Sequence, residues 1–476
     1  MTDSGSQQAP QRRRSALVVA SAGYFFVLLD VTIVNVALAH IGSDLGASRS
    51  DLQWVVDAYA LVLAAFMLGS GDLADRLGSR RVFLAGLAVF GLASAACAAA
   101  PSAPTLIAAR VVQGLGATAI LPTSLAVVNQ LFPDPGERPQ AIGVWAGVGG
   151  SALVAGPVLG GALVSGIGWR AIFWLNVPLA ALALGFAVAV LPRSPGSTGR
   201  RLDLRGQMLG TLALAAAVFA LIEGGRNGLS YAPAVLAAIV AVLAFAAFLV
   251  AERRREGPML EPSWFARPEF SGANAGAGLM NLGTLGALFA ISLFLQQEQG
   301  LSPIETGLTL LPLALPLAAL TPFTGRLVAA VGPRHPAGWG LLATGAGYLG
   351  LGLLGSSLDS PAGFALLALA GSGMAVAVPG LVAGATEALG EDRAGIASAV
   401  NNTSRQVGGA IGVALIGGFS SVGASLTSSA SALLLGGSLA LGLMRPSLGQ
   451  SEAQPSASRA ERGRAGVASR QAERAG

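Results

Sequence analysis

Residues 71–81 read Gly-Asp-Leu-Ala-Asp-Arg-Leu-Gly-Ser-Arg-Arg and lie between two long apolar stretches. Residues 325–334 read Gly-Arg-Leu-Val-Ala-Ala-Val-Gly-Pro-Arg and repeat this frame, again between two apolar stretches. In both copies a pair of glycines brackets a short connection that ends in arginine. A charged, glycine-bracketed turn that occurs twice in one apolar chain indicates a duplicated membrane unit, in which each copy joins two spans on the cytoplasmic side.

The composition places the chain in the membrane. Of its 476 residues, 53% are hydrophobic and 11% are charged, and the mean hydropathy is +0.65. A soluble domain carries about 25% charged residues. A soluble fold of this size could not bury so much apolar surface, so we predict an all-α membrane protein with many spans.

The same composition excludes several kinds of active site. The chain contains no lysine, so a phosphate-binding loop that ends in lysine is excluded. The single cysteine, Cys97, excludes an internal disulfide and a cysteine cluster for a metal. His40 and His335 are too few for a zinc site and offer no plausible partner for a serine nucleophile. We therefore expect no enzyme, no metal and no cofactor.

A membrane-spanning helix needs about 20 predominantly apolar residues, and we predict such helices along the whole chain. The fourteen predicted spans are 16–38, 52–70, 82–100, 104–128, 141–165, 171–191, 207–223, 233–251, 271–294, 306–324, 337–355, 361–386, 396–418 and 428–444. The first stretch is too long for a cleaved signal peptide and contains Asp30, so we interpret it as a span that is retained.

The arginines predict the orientation of these spans, because positively charged loops stay in the cytoplasm. With a cytoplasmic N-terminus, the outer loops contain only Arg49, Arg170 and Arg226. An even number of spans then places both termini in the cytoplasm. The isoelectric point near 10.2 follows from this topology. Since the arginines do not cluster on a soluble module, we expect no nucleic-acid partner.

The position of the repeated turn predicts the domain organisation. We predict a cytoplasmic tail at 1–15, an N-terminal six-helix bundle at 16–191, a linker with two inserted helices at 192–270, a C-terminal six-helix bundle at 271–444, and a disordered cytoplasmic tail at 445–476. Parallel repeats about an axis along the membrane normal are a transporter architecture in which the site lies between the repeats.

Six segments in order carry a family resemblance. They are Leu29-Asp30-Val31-Thr32-Ile33-Val34-Asn35-Val36-Ala37-Leu38, the turn at 71–81, Arg110-Val111-Val112-Gln113-Gly114-Leu115-Gly116, Gly156-Pro157-Val158-Leu159-Gly160-Gly161, Trp169-Arg170-Ala171-Ile172-Phe173-Trp174-Leu175-Asn176-Val177-Pro178, and Asn401-Asn402-Thr403-Ser404-Arg405-Gln406-Val407-Gly408-Gly409. These segments resemble the major facilitator superfamily, and within it the fourteen-span drug:proton antiporters of the EmrB/QacA type.

The chain also departs from the family pattern. Ala39 stands where the first-helix motif has proline, and Ala152 stands at one of the upstream glycine positions of the antiporter motif, while Gly143 matches another. The second copy of the turn lacks the acids of the first. Any charge-pair latch is therefore expected in the first half.

The resemblance implies two six-helix bundles related by pseudo-twofold symmetry plus two inserted helices, with fourteen transmembrane helices in all. It implies export of hydrophobic compounds, cationic ones included, such as drugs or antibiotics, in exchange for protons. The partners would be a small hydrophobic substrate, protons and the lipid bilayer. We expect a monomer in the inner membrane of a bacterium, driven by the proton gradient without a cofactor.

Three charged residues are predicted to lie at one depth. Asp30 is about 21 Å from the inner face, and Arg110 and Asp57 are at roughly the same level when each helix rises 1.5 Å per residue. An ionisable group at membrane depth is costly and is a functional candidate by default. Burial favours the neutral form of a carboxyl group, and a nearby guanidinium favours the charged form. A change in the Asp30–Arg110 separation could therefore couple proton binding to conformation, with Arg110 serving one or both acids.

Further candidates come from the other motifs. In the predicted fifth span, small residues would allow close helix packing and the proline a bend, which could form the moving interface. In the cytoplasmic turn, charged residues could pair with a neighbouring helix end in one conformation only. Glu223, near the outer face, could attract a cationic substrate or simply be an interfacial acid. The antiporter candidates are Gly143, Gly156, Pro157, Gly160 and Gly161, and the gating candidates are Gly71, Asp72, Asp75, Arg76, Gly78, Arg80 and Arg81.

Other functions remain open on the sequence. A nearer alternative is a proton-coupled exporter of a dedicated metabolite or lipid, or a proton-coupled importer. The antiporter-like Gly156-Pro157 pair argues against import. A more distant alternative is a membrane-embedded enzyme or scaffold, against which the missing catalytic groups and the duplicated halves both argue.

Overall fold

A computed structural model describes residues 4–132, 134, 137–192, 203–228, 230–255, 260–354, 358–390 and 393–444. The described residues are almost entirely helical. The helices are α1 (Ser4–Leu45), α2 (Arg49–Leu77), α3 (Ser79–Ala98), α4 (Ala103–Leu131), α5 (Arg138–Gly166), α6 (Arg170–Val190), α7 (Leu204–Asn227), α8 (Ala232–Arg254), α9 (Pro268–Leu293), α10 (Pro303–Thr309), α11 (Leu311–Val331), α12 (Arg334–Leu354), α13 (Pro361–Leu389), α14 (Ala394–Ile416) and α15 (Val422–Leu443). A 3₁₀ turn (Pro262–Ala266) precedes α9, and a π-helical turn (Phe294–Glu298) follows it.

The fourteen spans that the sequence predicts are not all confirmed by helix length and hydropathy. Within the described ranges, twelve helices are long and apolar enough to cross a membrane, or thirteen when α10 and α11 count as one. Helix α14 forms close to the predicted span 396–418 but is not among these twelve. Its middle carries the polar run Asn401–Gln406, which lowers its hydropathy.

The predicted single span 306–324 is wrong in shape, because two helices bent by 46° occupy this stretch. The break falls at Leu310, between α10 and α11. Pro312, which follows, has no backbone N–H and cannot donate the helical hydrogen bond to the fourth residue before it.

Two boundaries also differ from the prediction. Helix α1 already begins at Ser4, so residues 4–15, expected in a polar tail, continue the first helix. Helix α15 begins at Val422, six residues before the predicted start at 428. The predicted tail at 445–476 and most of the loop at 192–206 lie outside the described residues.

The helix-packing pairs of the first half recur in the second. Helix α1 packs on α5, α2 on α4, and α3 on both α4 and α6. Correspondingly, α9 packs on α14, α11 on α13, and α12 on both α13 and α15. Each half has its own apolar core, centred on Phe83, Phe90 and Ile120 in one and on Phe270, Leu341 and Tyr348 in the other. This recurrence matches the repeated turn in the sequence.

The two halves meet along several helices. Helix α2 packs on α14, α5 packs on α10 and α11, and α1 touches α9. The hairpin of α7 and α8 lies outside these bundles, and α7 packs against α2 and α14, one helix from each half. We call the end of the bundle at which α1 begins the proximal end, and the end at which α1 ends and α2 begins the distal end.

Candidate functional site

An ion pair between the first and fourth helices lies in the interior of the first half. Asp30 of α1 is 0% exposed and Arg110 of α4 is 1% exposed. The Arg110 Nη1 atom donates to Asp30 Oδ2. The structure thus brings together the two groups that the sequence predicts to meet at one depth.

Two amides complete the environment of this carboxylate. Gln113 Nε2 donates to Asp30 Oδ1 at 2.8 Å, and Asn176 Nδ2 donates to the same oxygen at 3.0 Å. Both side chains are buried. Both residues occur within the family motifs, but the motifs alone do not assign them to the site. The signal that could have identified them is a lone amide in an otherwise apolar helix, because such a group must find a partner when buried.

The guanidinium of Arg110 is held on its other sides as well. Its Nε atom donates to the carbonyl oxygen of Val55 at 3.0 Å, and Nη1 also donates to Gln113 Oε1 at 2.8 Å. The ring of Tyr59 lies 4.3 Å from the guanidinium carbon, a cation–π distance. Helices α1, α2, α4 and α6 therefore all contribute to one buried polar network. Its charges are matched, as a low-dielectric interior requires.

Asp57 of α2 does not join this network. It is 0% exposed, and neither carboxyl oxygen has a hydrogen-bond partner among the described residues. Ala60, Leu61 and Ala64, three to seven residues further along α2, pack on α7 and α14. Because Asp57 shares a helix face with these three residues, it lies towards the contact of α2 with α7 and α14. The prediction that Arg110 could serve both acids is met for Asp30 alone.

A pocket adjoins the ion pair where the two halves meet. Arg110 and Tyr59 line it from the first half, together with Asn35 of α1. Gln406 lines it from α14 of the second half, and apolar side chains complete the wall. This pocket therefore touches both halves and the partner of Asp30.

The antiporter-motif glycines act through close helix contacts. A Cβ at Gly156 would lie 2.0 Å from Thr32 Oγ1, and one at Gly160 would lie 2.8 Å from Ile33 Cγ1, so both face α1. A Cβ at Gly161 would lie 2.6 Å from the Cα atom of Ile304 in α10. These glycines allow α5 to approach α1 within the first half and α10 across the interface.

Two other members of the predicted motif behave differently. Gly143 is exposed, and a Cβ there would meet no atom within 4 Å, so close packing does not explain this glycine in this conformation. Pro157 lies inside α5, and its carbonyl oxygen lies 2.2 Å from the position of a Cβ on Gly307 of α10. Pro157 therefore lies where α5 meets the second half, and the bend that the sequence predicts there stays a prediction.

The repeated turn ends its first helix in the same way in both copies. Gly78 ends α2 with φ 88° and Gly332 ends α11 with φ 76°, a left-handed region that favours glycine. Two residues later, Arg80 Nη2 donates to the carbonyl oxygen of Val188 at 2.8 Å, near the end of α6. Arg334 Nε donates likewise to Leu441, near the end of α15, at 2.8 Å. A cation at a helix C-terminus is stabilising, so each arginine ties the turn to its own half.

The remaining gating candidates are less constrained. A Cβ at Gly71 would meet no atom within 4 Å. Arg76 is partly buried and Arg81 is exposed. The side chains of Asp72 and Asp75 lie outside the described residues, so the predicted charge-pair latch stays a prediction.

Glu223 lies near the distal end of α7. Its Oε2 atom accepts a hydrogen bond from Asn227 Nδ2 at 3.0 Å, one helical turn away. This local contact suits an interfacial acid. Among the residues that the structure describes, no group of three or more His, Cys, Asp or Glu side chains could hold a metal ion.

Hydrogen bonds join the two halves at the distal end. Arg49 Nε donates to the carbonyl oxygen of Gly417 at 2.7 Å, and Gln53 Nε2 donates to that of Val413 at 2.9 Å, so α2 caps the C-terminus of α14. Gln296, after α9, donates to the carbonyl oxygen of Val36 in α1 at 2.8 Å. These contacts close the distal end of the interface.

Comparison with known proteins agrees with this architecture. The family model described as Major Facilitator Superfamily matches residues 20–413. The chain is 37% identical over 405 residues to multidrug resistance protein Stp of Mycobacterium tuberculosis, covering 84% of this chain and 74% of that protein. It is 35% identical to the methylenomycin A resistance protein of Streptomyces coelicolor, covering 84% of each chain. It is 38% identical to the puromycin resistance protein pur8 of Streptomyces alboniger, covering 87% of this chain and 83% of that one.

A solved structure supports the fold alone. The human organic anion transporter MFSD10 (TETRAN) superposes with a TM-score of 0.63 at 19% sequence identity, covering 90% of this chain and 99% of that one. The family match spans most of the chain, and the first two relatives are 37% and 35% identical to it over the 405 aligned residues. The chain therefore belongs to the Major Facilitator Superfamily, a family of membrane transporters, and it is not an enzyme.

Proposed function

We propose that this protein exports small hydrophobic compounds, of the kind removed by multidrug or antibiotic efflux, in exchange for protons. The observation that carries the proposal is the buried Asp30–Arg110 ion pair beside a pocket that both halves line. The names of the relatives, which refer to multidrug, methylenomycin A and puromycin resistance, support export of drugs. Proton coupling rests on the ion pair.

Asp30 can couple protons because its neighbours determine which form of the carboxyl group is stable. In this conformation, Arg110 and two amides donate to the carboxylate and stabilise the charged form. A rearrangement of α1 relative to α4 that breaks the Arg110 contact would leave the carboxylate buried without its countercharge. A buried charge without a partner destabilises the protein by roughly 3–5 kcal/mol. The carboxyl group would therefore take up a proton.

The pocket connects this step to the substrate. Arg110 and Tyr59 contribute both to the Asp30 network and to the pocket wall. A bound compound can therefore displace the guanidinium from Asp30. Protonation of Asp30 can in turn release the guanidinium, which is then free to displace the compound. No cofactor is required, since each charge moved through 100 mV supplies about 2.3 kcal/mol.

We place the protein in the bacterial cytoplasmic membrane as a monomer with both termini in the cytoplasm. The distal end then faces outwards, and the distal hydrogen bonds close the outer side. In this arrangement α14 and the bent pair of α10 and α11 complete fourteen spans. Helix α14 can cross the membrane despite its polar run because it packs against α9, α2 and α13 rather than facing lipid all round.

Transport into everted membrane vesicles tests the proposal. The measured quantity is uptake of a fluorescent substrate with and without an imposed pH gradient, for wild type, Asp30→Asn and Asp44→Asn. Asp44 is a matched control, because it lies on the same helix but near the distal end, where it pairs with Arg170 and is about half exposed. Exposed ion pairs of this kind contribute little stability.

We expect the wild type and Asp44→Asn to take up substrate only when the pH gradient is present. Asp30→Asn should remain folded, because the amide keeps some of the hydrogen bonds, yet it should lose gradient-driven uptake. Full gradient-driven uptake by a folded Asp30→Asn variant would contradict the assignment of this carboxyl group.

A further inference from the structure

An arginine lies in the middle of α14. Arg405 follows the first residue of the helix, Ala394, by eleven positions, in a helix of 23 residues. At 1.5 Å per residue it is about 16 Å from the proximal end of a helix about 34 Å long. A guanidinium at the midplane of a membrane bundle is costly and marks a functional site by default.

No carboxylate neutralises this guanidinium among the described residues. The side chain of Arg405 is partly buried, and its Nε atom has no hydrogen-bond partner. Its electrostatic neighbour is the phenol of Tyr24 on α1, in the opposite half. Partial burial leaves the charged group reachable from the interface between the halves.

The other interior arginine shows how this bundle holds a buried guanidinium. Arg110 is 1% exposed and is held by a carboxylate, a backbone carbonyl and an amide oxygen. Arg405 has none of these contacts. A purely structural guanidinium would be expected to find such partners, because an unpaired charge in the interior is unfavourable. The missing partner is therefore expected to come from outside the chain.

Tyr24, the electrostatic neighbour of Arg405, belongs to an aromatic surface. The ring of Tyr24 stacks on that of Trp145 of α5, with ring centroids 4.1 Å apart and planes inclined by 11°. A Cβ at Gly149 would lie 2.1 Å from the Tyr24 ring, so this glycine provides the space in which the ring lies. Trp145 Nε1 donates to Ser124 Oγ at 3.1 Å, which fixes the second ring. The stacked pair is thus held in place from both sides.

We propose that Arg405 and the stacked pair of Tyr24 and Trp145 form a binding site for planar aromatic compounds that carry an anionic oxygen group, such as a carboxylate or phenolate. The inference rests on the proposed export function and names the class of substrate. The guanidinium binds the anionic oxygen by charge-assisted hydrogen bonds, and the aromatic pair stacks against the planar ring. Because the two parts belong to opposite halves, binding of a compound between them depends on the distance between the halves.

The charge at Arg405 also disfavours the cationic compounds that the family resemblance suggests. A substrate cation at this position would be repelled by an arginine that no acid among the described residues neutralises. The site therefore predicts a preference for anionic over cationic compounds built on the same ring system.

Fluorescein and rhodamine 123 provide the test, because they share a tricyclic xanthene ring but differ in charge, anionic in the first and cationic in the second. Binding to purified protein in detergent is measured by the fluorescence anisotropy of each probe. The variants are Arg405→Gln, Arg405→Lys and Trp145→Leu. Arg326→Gln, which removes an exposed arginine of α11, is the control for a general loss of positive charge.

We expect the wild type and Arg326→Gln to bind fluorescein more tightly than rhodamine 123. Arg405→Gln should weaken fluorescein binding by about tenfold or more, as expected for loss of hydrogen bonds to a charged group. Arg405→Lys, which keeps the charge, should bind at an intermediate level, and Trp145→Leu should weaken both probes. The melting temperature and size-exclusion profile of each variant establish that it is folded.

The inference is overturned if the wild type does not prefer fluorescein, or if folded Arg405→Gln binds it as tightly as the wild type does. If Arg405→Gln does not fold, an intermediate affinity of Arg405→Lys supports the inference and an unchanged one overturns it. Binding is measured without a proton gradient, so these outcomes are independent of export. A wild type that binds fluorescein selectively but shows no gradient-driven uptake would instead contradict the proposed function.

Discussion

Substitution of Gly161 by alanine should shift the protein towards a conformation that is open at the distal end. A Cβ at this position would lie 2.6 Å from both the Cα atom of Ile304 and the carbonyl oxygen of Pro303. These are backbone atoms of α10, which cannot move aside by a change of rotamer. The contact joins α5 of one half to α10 of the other, so the clash destabilises the closed interface rather than either bundle.

The magnitude follows from the cost of overpacking. Forcing an extra carbon into a well-packed contact costs about 1–3 kcal/mol. If the distal-open conformation is free of the clash, the ratio of closed to open molecules should fall by about 5- to 150-fold. The complementary substitution Gly307→Ala should act in the same direction, because its Cβ would lie 2.2 Å from the carbonyl oxygen of Pro157.

Distances between spin labels measured by pulsed electron paramagnetic resonance would detect this shift. Suitable label sites are Ile167→Cys and Leu353→Cys, near the distal ends of α5 and α12, where the native side chains are 79% and 80% exposed. The native Cys97 is buried and does not compete for the label. Gly143→Ala is the control, since a Cβ there on the same helix meets no atom within 4 Å. An unchanged distance distribution in folded Gly161→Ala would refute the reasoning.

Two further predictions concern the distal contacts and the ion pair. Gln53→Leu removes two hydrogen bonds to carbonyl oxygens near the end of α14, each worth about 1 kcal/mol, so it should lengthen the same label distances; a distribution like that of the wild type would count against the proposed distal closure. Arg110→Gln leaves the Asp30 carboxylate buried without its countercharge and should cost about 3–5 kcal/mol of stability, seen as a lower melting temperature. Adding Asp30→Asn should restore much of that stability but not transport, and a double variant no more stable than Arg110→Gln would show that the pair is not coupled.

Physical chemistry explains why so much of the fold is predictable. Membrane spans can be recognised by their length and hydropathy, because the bilayer core requires about 20 apolar residues and backbone groups that form their hydrogen bonds within the protein. The two inserted helices, predicted at 207–223 and 233–251, form as α7 and α8. The predicted span over α14 forms as a helix but is not confirmed as membrane-crossing, because the helix is not uniformly apolar, and the predicted single span over α10 and α11 is broken next to Pro312.

The site could be predicted only in part. Asp30 and Arg110 are conspicuous as charges in apolar helices, and helical rise alone places them at one depth. Gln113 and Asn176 are uncharged amides, so nothing in the linear pattern shows that both donate to Asp30. Asp57 is predicted to lie at the same depth as Asp30, but it faces the contact of α2 with α7 and α14 instead of Arg110. The direction in which a side chain points from its helix depends on how the neighbouring helices pack, which the sequence pattern does not show.

The sequence by itself determined that this chain is a helical membrane protein with a repeated unit, and that Asp30, Asp57 and Arg110 lie at one depth within it. Composition, span length and the two glycine-bracketed turns carry that information locally. Only the tertiary structure decided which buried groups meet. It showed that Asp30 has three donors, that the electrostatic neighbour of Arg405 among the described residues is the Tyr24 phenol rather than an acid, and that the halves are joined at the distal end. These relations join residues far apart in the chain, so they depend on how the helices pack and not on any local pattern.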